Sequence, residues 1–236
     1  MKLNTSFNLG RKYAEDVRDK NYLITEHLLS ATTATTHTGL SANLHVSTTT
    51  SKYWDDAVWW GDQGNTPQCV GYAWEHWDND GPVYHSGSKP HIQPSVIYAG
   101  AQKLDPWSGV THDGTTIRAG ATFLKNYGLI SSYYWGYDLN TLVNTVLNLG
   151  PVVVGTNWYY NMFFPNSAGL IKVGGYLAGG HAYVINGVAT QSQLFRIKNS
   201  WGKSWGQGGH AYISFSDMAK LISQQGEVCL AVEIPS

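Results

Sequence analysis

The chain has 236 residues, a formal net charge of −1 and only 13% charged residues, about half the roughly 25% of an ordinary globular protein. It has no run of Lys and Arg, so nothing in it draws nucleic-acid phosphates or an anionic bilayer surface, and neither is expected as a partner. Hydrophobic residues make up 42% and aromatics 13%, including 10 Trp, enough for the core of one large domain or of two lobes sharing a cleft.

The N-terminus, MKLNTSFNLGRKY, lacks the apolar stretch of a signal peptide. No apolar run approaches the roughly 20 residues that cross a bilayer. Mixed charges follow (Arg11, Lys12, Glu15, Asp16, Arg18), then a Thr-rich tract, ATTATTHTGLSANLHVSTTT, whose β-branched and small polar residues argue for extended or loose chain. Residues 1–50 are therefore expected to form an N-terminal extension draped on a domain of residues 51–236.

A helix is predicted from Cys69 (CVGYAWEHWDN), with Pro67 just ahead of it and the turn Asp78-Asn79-Asp80-Gly81 ending it. Further helices are predicted over Ser95–Leu104, over Thr115–Gly128 with a glycine cap, and over Leu139–Gly150. After Pro151 the texture changes: PVVVGTNW, HAYVINGV, LFRIKNSW, HAYISF and VCLAVEI are β-branched and aromatic segments broken by Gly and Asn. The expected class is α+β, a helical lobe over about 51–130 facing a β-rich lobe over about 131–236, with a cleft between them.

There are two cysteines, Cys69 and Cys229. So few, with no disulfide framework, suit a reducing compartment with both thiols free, and a cytoplasmic location is expected. Cys229, inside VCLAVEI, reads as core. Cys69 stands at a predicted helix start, where the partial positive charge of the N-terminus favours a thiolate. The polar loop Asp62–Gln68 before it is expected to leave the thiol exposed. Taken alone, Cys69 reads more readily as a buried structural residue, the commoner fate of a lone cysteine.

The second half supplies partners. His181 follows Gly179-Gly180 and opens a strand, where backbone can approach it closely; it is a candidate base, although a Gly-Gly-His taken singly is more often structural. Asn199, in LFRIKNSWGKSWGQGG, is suited to fix the tautomer of an imidazole, and the indole of Trp201 to shield that bond. Gly-Gly-His-Ala-Tyr recurs at 208–212, which makes His210 a rival base. Weaker patterns carry no chemistry. Asp78–Gly81 mimics the start of a calcium loop, but Lys89 stands where a bidentate Glu belongs. Gly206–Ala211 mimics a dinucleotide fingerprint without a strand-to-helix setting. His76, His85 and His91 lack metal-ligand spacing and are expected to be solvated or capping. No metal or cofactor is expected.

Together these residues resemble the papain family of cysteine peptidases, in particular its compact bacterial and phage members. The likeness runs from about Trp54 to the C-terminus. Gln63 lies six residues before Cys69, and Gly180-His181-Ala182, Asn199-Ser200-Trp201-Gly202 and Trp205-Gly206 follow in the family's order. Gly150–Val154 and Asp113–Arg118 add to it. Asn199 lies 130 residues after Cys69, at the family's spacing, while His181 lies 112 after it, nearer than the usual ~130–150. Thr66 replaces a disulfide-forming Cys, and Val70 replaces the aromatic after the nucleophile.

The resemblance implies a papain-like fold and a thiol endopeptidase acting on peptide or protein through an acyl-enzyme. It casts Cys69 as nucleophile, His181 as base, Asn199 as its orienting partner and Gln63 as oxyanion donor. Gly114, Trp201 and Gly180 are cast as substrate contacts, and His210 falls at the start of the next strand. If phage-encoded, the protein is expected in the virion or host cytoplasm. The first 50 residues are shorter than the family's inhibitory propeptides. The same constellation also serves amidases, peptide ligases and cell-wall hydrolases, and non-catalytic papain-like modules keep the fold.

Overall fold

The computed structural model describes residues 7–27, 50–54, 61–80, 92–109 and 112–234. Among these, a seven-stranded antiparallel sheet is flanked by helices on both faces. In chain order the elements are β1 (Ser51–Tyr53), α1 (Cys69–Asp80), α2 (Pro94–Gln102), α3 (Ile117–Tyr127), β2 (Ile130–Gly136), α4 (Leu139–Asn148), β3 (Val152–Tyr159), β4 (Leu177–Ala189), β5 (Leu194–Lys198), β6 (His210–Ser214), α5 (Phe215–Ser223) and β7 (Glu227–Glu233). The strand order is β2-β7-β3-β4-β5-β6, and β1 pairs with the far end of β4.

Period-two alternation in the central strands divides the core. Val152, Val154, Tyr183 and Ile185 face one cluster, built with α4, α5 and the aromatics Trp158, Phe163 and Trp201. Val153, Ala182 and Val184 face the other, built with α1, α2 and α3. Both faces of β3 and β4 are therefore buried, which explains their continuous apolar runs. Local signals set the helix ends: Thr116 Oγ1 accepts from the Ala119 N–H (3.0 Å), and Gly128 closes α3 in the left-handed region at φ +85°.

Most predicted elements stand within two or three residues of their expected bounds. β1, β2 and α5 extend the predicted set: the short β1 and the edge strand β2 gain their structure from pairing with β4 and β7, while α5 carries a legible amphipathic period with Ser214 as its N-cap. The expected turn at Asp78–Gly81 is corrected: Asp78, Asn79 and Asp80 belong to α1. Asp80 is buried there, because its carboxylate meets the fully buried ammonium of Lys198 and the amide of Asn186. His76 is corrected likewise. It is buried within α1, and its Nε2 accepts from the Gly61 N–H at 3.4 Å. Residues 28–49, which hold nearly all of the Thr-rich tract, and Gly81, His85 and His91 lie outside the described residues.

Candidate active site

Cys69 is the first residue of α1, directly after the polar loop 62–68. That loop is tied to the segment after β5. Asp62 bridges Trp201, the Gln63 N–H donates to the Ser200 carbonyl (2.8 Å), and the Gly202 N–H donates to the Gly61 carbonyl (3.2 Å). The Ser200 hydroxyl donates to Gln63 Oε1 at 2.5 Å, which turns Nε2 of the same amide toward the cleft. Ser200 was not singled out in the sequence. The signal was present, as a hydroxyl between Asn199 and Trp201, but only the fold gives it a partner 137 residues away.

His181 lies on β4 opposite Thr156 of β3, and Asn199 lies one residue past the end of β5. Their side chains meet, with His181 Nε2 and Asn199 Oδ1 2.8 Å apart. The Trp201 ring stacks on the imidazole at 4.6 Å and 21°, and Trp158 meets it edge-on at 4.8 Å. These indoles exclude water from the His–Asn bond. His181 Nδ1 has no hydrogen-bond partner among the described residues and is fully buried. The N–H of its neighbour Ala182 reaches the Cys69 sulfur, which puts the His181 end of β4 against the N-terminus of α1. His210, by contrast, begins β6 and pairs with Lys198 of β5, whereas the imidazole bonded to Asn199 Oδ1 is that of His181.

The expectation of an exposed thiol is overturned: Cys69 is fully buried. Residues 7–13 lie across it as a strap. Phe7 stacks on Trp201 at 4.8 Å. The Asn8 carbonyl accepts from Gln63 Nε2 (3.0 Å), and the Asn8 amide donates to the Asn65 carbonyl (2.8 Å). The Gly10 N–H reaches the Cys69 sulfur, and the Gly10 carbonyl accepts from the Thr115 N–H (2.9 Å). The Arg11 N–H donates to the Gly180 carbonyl (3.0 Å), and the Lys12 N–H to the Thr115 carbonyl (2.9 Å). Close approach dictates glycine at three of these contacts. A Cβ at Gly10 would stand 1.9 Å from the Pro67 carbonyl oxygen, one at Gly114 2.3 Å from the Gly10 oxygen, and one at Gly180 2.2 Å from the Arg11 oxygen.

Burial under the strap sets the electrostatics. Desolvation pushes the Cys69 thiol up to about 11, against the opposing pull of the Ala182, Gly10 and Val70 N–H groups and of the Arg11 charge. Burial pulls His181 down to about 4, against the opposing effect of the Asn199 hydrogen bond. In the covered cleft the pair is a neutral thiol beside a neutral imidazole. Cys229 lies elsewhere, in β7 opposite Trp135 and Val153, with its thiol also pushed up by burial.

The arrangement thus combines a thiol at a helix start, an imidazole held by an amide on the adjoining strand, and a second amide bonded to the same strap that covers the thiol. Known proteins share the fold. Xylellain, a cysteine protease from Xylella fastidiosa, superposes with a TM-score of 0.74 at 17% identity, over 99% of this chain and 100% of that one. Digestive procathepsin L 3 of Tenebrio molitor larval midgut gives 0.61 at 15% identity, over 82% and 72%. The bromelain protease from Ananas comosus, in complex with the E64 inhibitor, gives 0.58 at 14%, over 79% and 100%. In sequence, a cathepsin B-like protein of Giardia intestinalis, CP2, is 30% identical over 95 residues. That match spans 39% of this chain and 29% of the relative's length. The model of the papain family cysteine proteases matches residues 31–228, most of the chain and every element from β1 to the start of β7. The chain belongs to the papain family of cysteine proteases.

Proposed function

We propose that this protein is a cysteine endopeptidase that hydrolyses peptide bonds through a thioester acyl-enzyme. The observation that carries the reading is the His181–Asn199 bond, shielded by two indoles, on the strand whose next residue touches the Cys69 sulfur. Asn199 accepts at Nε2, so the ring presents Nδ1 for proton exchange with the thiol.

Once peptide replaces the strap, the Cys69 thiolate bonds to the scissile carbonyl carbon and the π pair moves to oxygen. Gln63 Nε2–H and the Cys69 backbone N–H, which has no acceptor within the first turn of α1, stabilise that oxyanion. Collapse breaks the C–N bond, and the imidazolium of His181 gives its proton to the departing amine. Water then attacks the thioester as His181 takes its proton, the C–S bond breaks, and the thiol is restored. Gly114, Gly180 and Trp201, each touched by the strap, are placed to hold the peptide.

The test is turnover of a reduced, unfolded protein by the full chain in which Gly10→Val expels the strap. His181→Ala in that background should abolish cleavage, and His210→Ala should retain most of it. No cleavage of any unfolded protein, with Cys69 nevertheless alkylated rapidly, would exclude a general endopeptidase. Equal loss in both histidine variants would remove His181 from its role.

A further inference from the structure

On the helical side of the cleft the strap pairs with a single residue. Thr115 donates its N–H to the Gly10 carbonyl (2.9 Å) and accepts from the Lys12 N–H (2.9 Å). Both of its main-chain groups are thus turned to the cleft, as those of an edge strand are. A peptide that displaces the strap leaves them unpaired unless its own backbone takes over both bonds.

The turn that carries these groups is held by side chains from outside the cleft. No disulfide fastens it, since the two cysteines are free and lie in α1 and β7. Tyr98 and Gln102 stand one turn apart on α2. The Tyr98 hydroxyl accepts from the Gly114 N–H (2.9 Å) and from Gln102 Nε2 (3.0 Å), and that Nε2 also donates to the His112 carbonyl (2.6 Å). Asp105 has an inaccessible side chain. Its Oδ2 accepts from the Thr115 hydroxyl (2.7 Å), while its Oδ1 accepts from the Trp107 N–H (3.1 Å) and lies 3.3 Å from His112 Nε2. Thr116 then caps α3. The chain is gripped at 112, 114, 115 and 116, on either side of the two groups that face the cleft.

We propose that Tyr98 and Asp105 are positioning residues for the substrate main chain. Acting through Gly114 and Thr115, they hold the Thr115 N–H and carbonyl in the orientation in which a peptide backbone pairs with them. The inference rests on the peptidase reading, and the experiment keeps the two apart. Such pairing is made alike in the ground state and the transition state, so its loss weakens binding and spares the chemical step. That signature is the opposite of an oxyanion donor's.

Tyr98→Phe and Asp105→Ala are each placed in the full chain and in the Gly10→Val chain. In the Gly10→Val background both should raise KM for an unfolded protein about fivefold, roughly the net contribution of one hydrogen bond, with kcat within about twofold. Asp105→Asn, which keeps an oxygen for the Thr115 hydroxyl, should recover most of that affinity. With Gly10 intact the strap uses the same two groups, so Tyr98→Phe and Asp105→Ala should speed Cys69 alkylation at pH 7 about fivefold while Cys229 stays unlabelled. This second readout needs no turnover, and Cys229 reports any general unfolding. Should Asp105→Ala not fold, Tyr98→Phe, which removes one oxygen atom, carries the test alone. In Tyr98→Phe, an unchanged KM, a fall in kcat at constant KM, unchanged alkylation of Cys69, or labelling of both cysteines in step would overturn the assignment. Faster alkylation of Cys69 alone, with no peptide cleaved by any form, would uphold the positioning role and fell the peptidase reading.

Discussion

The amide of Gln63 is held at both ends, by the Ser200 hydroxyl on Oε1 and by the Thr66 and Asn8 carbonyls on Nε2. Its orientation is therefore fixed before any substrate arrives, and Nε2 has one internal acceptor, Thr66, and one supplied by the strap. In the proposed mechanism the second hydrogen, released from the strap, meets the oxyanion, and a donor of that kind acts mainly in the transition state. Gln63→Ala in the strap-released chain should lower kcat about 10²–10³-fold with little change in KM, since removing one such donor costs about that much. Alkylation of Cys69 should be unaffected, because in the proposed mechanism the thiolate forms by proton transfer to His181. A variant with unchanged kcat, or one that loses thiol reactivity together with turnover, would show that Gln63 only braces the loop.

The strap is the element that decides whether this chemistry is available. Its close packing on Gly114, its backbone bond to Gly180 and its stacking on Trp201 occupy the three positions expected to hold substrate. It also fixes ionisation. A solvated imidazole takes up its proton near pH 6.5, but covered His181 does so only near 4. Between those values acid therefore favours any state in which the ring is solvated. At the alkaline end covered Cys69 keeps its proton to about 11, whereas a free thiol loses it near 9, so rising pH also favours opening across that interval. Alkylation of Cys69 in the wild-type chain should be slow at neutral pH and rise toward pH 11. Gly10→Val, whose Cβ has no room beside the Pro67 carbonyl, should speed it at least about tenfold at pH 7 and move its profile toward neutrality. Mass spectrometry of Cys69 against Cys229 reads this directly. Identical profiles in the two proteins would mean that the strap does not govern the thiol.

At the scale of the whole molecule, the sheet and helix α1 packed on it are joined by a buried ion pair. Lys198, the last residue of β5, meets Asp80, the last residue of α1, and both side chains are inaccessible. Asn186 and Arg196 extend the network. Lys198 also immediately precedes Asn199, so the pair anchors the end of β5 that leads to the amide bonded to His181. Lys198→Ala should cost about 3–5 kcal/mol in urea denaturation, the usual consequence of leaving a buried charge without its partner. Replacing both members, Asp80→Leu with Lys198→Met, should recover most of that loss. A single variant within about 0.5 kcal/mol of wild type would mean that water already reaches the pair.

How far the sequence carries follows from the range of each interaction. Helix starts and stops, the β-branched runs and the Cys69–His181–Asn199 order with Gln63 are local or fixed by composition, and they led directly to α1 through α4, the central strands and the family. Four features were decided by contacts between segments far apart in the chain: burial of Cys69 by residues 7–13, of Arg11 against Glu227, of Asp80 against Lys198, and the hold of Ser200 on Gln63. A polar residue announces only that it wants a partner when buried, not which residue 100 or 200 positions away will provide it. Chain order therefore identified the chemistry, while tertiary packing alone determined that the cleft is closed, that its thiol is neutral, and which partner meets each buried charge.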